Sequence, residues 1–473
     1  MKNNIVRRII SFIFAIWMVM AVPLTTFCEP ETQDEKTEIT AQEENSEEAE
    51  EGEEEEKEPE NDSQGRPILK EGETGILIER KTGTVIYESD SQKRMYPAST
   101  TKIMTALIAV EEIDKGNISL EETVQVTAQM LEGLDPDGSN MALKADEILS
   151  MKDLLRGLMI PSGNDAAMAI AYKISGSDEA FVERMNTRAA ELGLNNTHFM
   201  NPHGLHNENH YTTAEDMGKL ACKAMENAIF RDIVDIAHVK IAPTNKTEKQ
   251  RYYINTNGLL SAMRYTEYFY KGSIGIKTGR TSEAGNCLVS AVARNGLEFV
   301  GVLFGGKEIK DSHGETIRMM DYGFENYEIR QPISQGDILG EVKVKQGKSK
   351  DSVTLSAVTP VQVVVPKGTD PQELTLSLNL PEKLYAPIVK GQEIGTISVM
   401  RNGEELGVGK LCADVDVERT IFWPVLALGE WLWSFMLVRL LTYILIAAAV
   451  FFGTLMVIGF RRELQKSKRR KRK

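Results

Sequence analysis

Cysteine is scarce in this chain of 473 residues, with four in all: Cys28, Cys222, Cys287 and Cys412. None has the paired spacing of a zinc site, and no disulfide follows from their positions. Cys222 and Cys287 sit in apolar stretches, where a buried free thiol is the expected state. A basic stripe is also missing. The net charge of −14 is unevenly spread: residues 29–62 hold 18 acidic and 2 basic side chains, the first 28 residues hold +3, and the last 13 hold 9 basic against 1 acidic. Residues 63–460 keep a charge of −9, which offers no surface for nucleic acid. The length is enough for two or three domains and an ample core.

Lys2, Arg7 and Arg8 precede a mostly apolar run from Ile9 to Val22. Residues 1–28 therefore read as a secretory signal, with cleavage after Cys28; an acylated Cys28 and an uncleaved anchor are the other readings. Residues 29–64 form an acidic segment with nothing apolar to bury, expected to be disordered and solvated. A folded body begins near Ile68. Residues 75–79 and 84–87 read as strands joined through Arg80-Lys81-Thr82-Gly83, and helical spacing marks 101–115, 151–160, 164–175 and 178–192. Further strands are expected at 273–278, 287–293 and 298–304, with a closing helix at 311–327. Strands at both ends with helices between them predict an α+β domain, over 65–326, whose N-terminal hairpin returns to an antiparallel sheet.

From Tyr327 the pattern changes to short alternating strands at 338–345, 353–358, 362–365, 374–380, 393–401 and 405–411, predicting a small all-β sandwich domain over 327–420. It carries no catalytic constellation. Residues 422–438, with Trp423, Trp431 and Trp433, suit a membrane interface, and the 21 uncharged residues 440–460 are long enough for a transmembrane helix. Basic residues fill 461–473, so the positive-inside rule predicts a cytoplasmic tail and extracytoplasmic domains.

The residues that carry chemistry centre on Ser99 and Lys102. Three apart at a helix start, they share a face, so that an amine can take a hydroxyl proton. Pro97 suits the first turn, and Ile103, Leu107 and Val110 repeat at the spacing of a core-facing helix. Pro161-Ser162-Gly163-Asn164 lies between apolar helical segments, where Ser162 and Asn164 bring a hydroxyl and an amide to a cleft. Lys277-Thr278-Gly279 ends a predicted strand and offers a charge, a hydroxyl and a bare edge for a substrate backbone. Lys81-Thr82-Gly83 spells the same tripeptide, but it precedes Ser99 at a hairpin tip, where glycine is turn chemistry. His198, His203, His206 and His210 cluster without cysteine or carboxylate partners, so no metal is assigned to them.

Ser-x-x-Lys, Ser-x-Asn and Lys-Thr-Gly in this order form the signature of serine penicillin-binding proteins and class A β-lactamases. With Tyr96-Pro97-Ala98-Ser99-Thr100-Thr101-Lys102, Asn201-Pro202-His203-Gly204 and Gly275-Ile276-Lys277-Thr278-Gly279-Arg280-Thr281, the chain resembles the D-alanyl-D-alanine carboxypeptidases among the low-molecular-mass penicillin-binding proteins. The resemblance covers about residues 65–460. It implies a penicillin-binding, transpeptidase-like catalytic domain and a cofactor-free serine peptidase acting on peptidoglycan stem peptides. Ser99 is then the acyl-ester nucleophile, Lys102 its general base and Ser162 a proton relay. Asn164, Lys277, Thr278, Gly279 and Arg280 bind substrate, and β-lactam antibiotics acylate Ser99.

Two departures stand out. Arg280 replaces a residue that is often His in relatives. Ser312 and His313 occupy the place where many relatives carry a carboxylate-binding Arg, so that role is expected to fall to Arg280 or Lys307. A β-lactamase would need neither the β domain nor the membrane span. An inactive, membrane-tethered wall-binding protein is the alternative that the missing Arg raises.

Overall fold

The computed structural model describes residues 61–135 and 138–470. The expected signal peptide, the acidic segment up to residue 60 and the last three residues of the basic tail lie outside them. The N-terminal hairpin forms as the sequence pattern requires: β1 (Thr74–Glu79) and β2 (Val85–Ser89) pair antiparallel. Next comes the single turn of 3₁₀ helix Ala98–Thr101, which runs into α1 (Lys102–Asp114). A short ribbon of β3 (Thr123–Gln125) and β4 (Ile148–Ser150) leads to α2 (Met151–Met159), α3 (Asn164–Ser175) and α4 (Asp178–Glu191). Their limits follow local signals: Ser150 and Ser177 cap α2 and α4, and Gly176 ends α3 in the left-handed region.

Two helices not anticipated from the sequence, α5 (Ala214–Ala224) and α6 (Ala228–Val234), follow. A second ribbon joins β5 (His238–Ile241) to β6 (Arg251–Ile254). The long strands β7 (Ser273–Thr281), β8 (Gly285–Arg294) and β9 (Leu297–Gly306) then complete an antiparallel sheet of order β2-β1-β9-β8-β7. Its last hairpin turns on Asn295 and Gly296, both at positive φ as a two-residue turn demands.

Strand alternation gives the sheet two apolar faces. Ile76, Ile78, Val300 and Val302 join a core built from α1 to α6. Leu77, Phe299 and Leu303 turn the other way and meet Met319 and Met320 of α7 (Ile309–Asn326). Helix α1 lies in the middle of the larger core, with ten of its 13 residues buried. A helix so enclosed holds what it carries rigidly, and what it carries at its first turn is Lys102.

Without a connecting loop, α7 passes into β10 (Tyr327–Ile333), which pairs with β13 (Val361–Pro366). The remaining β strands are β11 (Ile338–Lys345), β12 (Ser352–Ala357), β14 (Leu374–Asn379), β15 (Leu384–Tyr385), β16 (Glu393–Arg401) and β17 (Glu404–Ala413). They form a second sheet of order β14-β16-β17-β12-β11-β15, and Leu355, Val363, Val365, Val399 and Leu411 fill the core of this all-β unit. The chain ends in α8 (Trp423–Arg470), apolar enough over Trp423–Arg462 to cross a membrane. It is one continuous helix of 48 residues, with no break between the expected interfacial and spanning segments. At 1.5 Å per residue it reaches about 70 Å, more than twice a bilayer's hydrocarbon core.

Candidate active site

Ser99 sits on the 3₁₀ turn ahead of α1, half-buried, directly after Ala98, whose φ of 47° is unusual for a side-chain-bearing residue. Strain of that kind persists only where the surroundings impose it, and here two glycines do so. Gly204, at φ 89°, passes so close that a Cβ on it would lie 1.9 Å from Ala98 O. Gly279 of β7 approaches from the other side, where a Cβ would lie 3.0 Å from Ser99 N. The Asn201-Pro202-His203-Gly204 loop is itself clasped to α1, because Thr105 Oγ1 donates to Pro202 O at 2.6 Å, and further along His210 Nε2 bonds Thr101 Oγ1 of the 3₁₀ turn at 2.9 Å.

Lys102 is wholly buried, and its Nζ has three neighbours: Ser99 Oγ at 2.8 Å, Asn164 Oδ1 at 2.8 Å and His203 O at 2.7 Å. Burial pushes this amine well below the usual lysine range, and the charge of Lys277 adds to the effect while Asp165 opposes it. A neutral amine has two N–H donors and one lone pair. Asn164 Oδ1 and His203 O only accept, so they take both donors, and the lone pair is left for the Ser99 hydroxyl. The geometry therefore suits proton transfer from Ser99 to Lys102.

Ser162 lies in the break between α2 and α3 with φ 70°, and its side chain lines the same cavity as Ser99. The following turn is held by Asp165, buried at the start of α3, which accepts from Met141 N and Leu143 N at 2.9 Å each. Asn164 N donates to Ser139 O at 2.8 Å, so this loop forms the wall opposite β7. On β7 itself, Lys277 is fully buried and donates to Thr278 O at 2.8 Å. Burial, with the charge of Arg264 second, lowers its pKa to about 7. Thr278 Oγ1 donates to Thr256 Oγ1 at 2.6 Å.

Two cavities meet at Ser99. One, of about 210 Å³, is bordered by Ser162, Thr256, Thr278, Gly279 and Arg264; the other, of about 490 Å³, is bordered by Asn164, His203, Gly204 and Lys307. Arg280 borders both. The fold thus gathers all eight residues singled out from the sequence at one place, although they span positions 99 to 280. It leaves Lys81-Thr82-Gly83 at the β1–β2 turn, where Lys81 Nζ donates to Gly296 O at 3.4 Å. Sequence reasoning missed three contributors: the carbonyl of His203, the hydroxyl of Thr256 and the guanidinium of Arg264. A backbone acceptor leaves no mark in a sequence. Thr256 and Arg264 belong to a segment with no motif of its own.

A helix-borne hydroxyl and buried amine, an amide from a neighbouring helix and a lysine-bearing sheet edge define the penicillin-binding class of serine site. Residues 63–308 match the D-alanyl-D-alanine carboxypeptidase family, and residues 327–419 match the C-terminal domain of penicillin-binding protein 5. The chain is 35% identical over 366 residues to D-alanyl-D-alanine carboxypeptidase DacF of Bacillus subtilis, covering 77% of this chain and 91% of that relative. It is 32% identical to D-alanyl-D-alanine carboxypeptidase DacA of Haemophilus influenzae, covering 76% and 88%. Among solved structures, penicillin binding protein 5 from Haemophilus influenzae shares the fold with a TM-score of 0.64 at 31% identity, covering 75% of this chain and 99% of that one. The chain belongs to the D-alanyl-D-alanine carboxypeptidase family and is a hydrolase of the bacterial cell wall.

Proposed function

We propose that the protein removes the terminal D-alanine from peptidoglycan stem pentapeptides through an acyl-enzyme on Ser99, and so limits cross-linking of the wall. The observation that carries this reading is the environment of Lys102: a fully buried amine with two acceptors fixed on it and Ser99 Oγ at 2.8 Å. Ser99 Oγ attacks the carbonyl between the two D-alanines, and its proton passes to Lys102 Nζ. The oxyanion that forms is met by the backbone N–H groups of Ser99 and Arg280, a role supported by the close approach of Gly279 to Ser99 N. The C–N bond then breaks, and the leaving amine takes a proton through Ser162. Water attacks the ester by the reverse use of the same groups, releasing the shortened peptide.

In this scheme Asn164 holds the substrate amide, Lys277 stabilises the motif residues electrostatically, and the stem peptide lies along β7 beside Gly279. β-Lactams enter as mimics of the D-alanyl terminus and stay on Ser99 as an ester. Residues 65–326 form the catalytic domain and 327–420 the β domain. The C-terminal helix anchors both to the outer face of the cell membrane, with the basic tail inside, as the positive-inside rule requires. The test is release of D-alanine from a pentapeptide stem by the detergent-solubilised chain, with covalent labelling by a fluorescent penicillin beside it. Ser99→Ala abolishes both; labelling that persists in this variant would move the nucleophile elsewhere.

A further inference from the structure

A carboxypeptidase substrate ends in a free carboxylate one residue beyond the bond that is cut, so the leaving-group side of the site needs an accessible cation. The two lysines of the motifs do not supply it. Both are fully buried, with Lys102 committed to three partners and Lys277 to Thr278 O. Nor does α7. Ser312 Oγ donates to Ile309 O at 3.0 Å, while His313 places Nδ1 3.0 Å from Ile309 O and accepts from Gly258 N at its Nε2, 3.2 Å away. With one ring nitrogen donating and the other accepting, His313 is a neutral imidazole, in keeping with the lowering of its pKa by burial.

Of the two cavities at Ser99, the larger contains Asn164 and Lys307, and in the proposed scheme Asn164 holds an amide of the acyl part. The smaller contains Thr278 and Thr256; Arg280 borders both cavities, whereas Arg264 borders only the smaller one. This guanidinium is exposed and makes no hydrogen bond or ion pair among the described residues; it lies over the ring of Tyr265, with the ring centre 5.6 Å away. Its charge is felt in the pocket, since it lowers the pKa values of both Lys277 and His313.

We propose that Arg264 binds the C-terminal carboxylate of the substrate, a reading that rests on the carboxypeptidase activity proposed above. His313 ties α7 to Gly258, six residues before Arg264, and the rings of Tyr268 and Tyr265 pack 5.0 and 5.9 Å from its imidazole. A Cβ on Gly258 would lie 2.9 Å from the imidazole Cδ2, so the contact is close. The cation thus stands on the β6–β7 segment, and α7 contributes the neutral residue that holds this segment in place.

The test compares diacetyl-L-lysyl-D-alanyl-D-alanine with its C-terminal amide, using the full chain in detergent. Wild type prefers the acid. Arg264→Gln lowers kcat/KM for the acid by roughly 10- to 100-fold, the size expected for a lost charge-assisted hydrogen bond, and changes the amide by less than about 3-fold. Arg264→Lys restores part of the preference. An unchanged acid-to-amide ratio in Arg264→Gln overturns the proposal, and so does collapse of that ratio in Arg280→Gln or Lys307→Gln instead. A wild-type chain that releases no D-alanine overturns the activity. Acylation by benzylpenicillin against its methyl ester then decides Arg264 separately, with equal loss for acid and ester counting against it.

Discussion

Replacing Lys102 by methionine isolates the central claim about the site, that its amine is neutral before substrate arrives. Methionine has nearly the length of lysine and takes no proton, so the buried space stays filled while base and charge are removed together. General-base catalysis is worth roughly 10²- to 10⁴-fold, and acylation by a fluorescent penicillin falls by that order. Stability gives the sharper number. The unfolded lysine holds its proton up to about pH 10.4, whereas the folded Lys102 has lost its own well below that. Between those two values the unfolded state binds one more proton than the folded state, so stability rises with pH by about 1.4 kcal/mol per unit. Lys277 adds a slope of the same sign above about pH 7, but it does so in both proteins and cancels from their difference. Wild type therefore gains on Lys102→Met by about 1.4 kcal/mol per unit as pH rises from the folded value toward the unfolded one near 10.4, or roughly 3–5 °C per unit in Tm by scanning calorimetry of the catalytic transition. A difference that stays flat with pH would mean that the resting Lys102 is protonated. It could not then serve as the base.

Two further predictions test how the site is supported. Gly204→Ala sets a Cβ against Ala98 O at a φ of 89°, so it costs at least about 2 kcal/mol and suppresses penicillin labelling even where the protein remains folded; normal labelling would show that the Ala98–Ser99 turn does not depend on this contact. Glu298 is buried on β9 between Arg80 Nε and Arg231 Nη1, each 2.6 Å away. Glu298→Ala leaves two arginines without their carboxylate and costs roughly 2–3 kcal/mol, discounted for the partial exposure of Arg231, which denaturation at pH 7 measures. Burial raises the Glu298 carboxyl, and the arginines more than reverse this, so its folded pKa lies below the unfolded one. Its stabilisation is then complete above the unfolded value near 4.5 and is lost as pH falls through the folded value, which makes the deficit of the variant shrink in acid.

Local grammar carried much of this protein. The alternation in Gly75 to Glu79 and the helical spacing behind Ser99 each state an element whose limits moved by only a residue or two in the fold. Elements too short for a period were not legible: β3 and β4 have three residues each, and β5 and β6 have four. β10 follows α7 with no turn to announce it. The α5 and α6 helices did carry signals, since Thr213 and Asn227 are good caps, but their apolar faces become decisive only against the sheet and α1.

The site divides in the same way. Three short motifs in a fixed order were enough to single out Ser99, Lys102, Ser162, Asn164 and Lys277 as candidates, because the chemistry admits few residue types and each motif sits on a recognisable helix start or strand end; the fold then brings them together. The protonation state of Lys102 was beyond the sequence, because it depends on burial and on the carbonyl of His203, which a hundred residues of chain bring to the amine. The cation facing the leaving group was hidden for a related reason. The sequence offered Arg280 and Lys307, and Arg280 does border this cavity, but only the tertiary structure, through the packing of the β6–β7 segment on His313, brings Arg264 there as well.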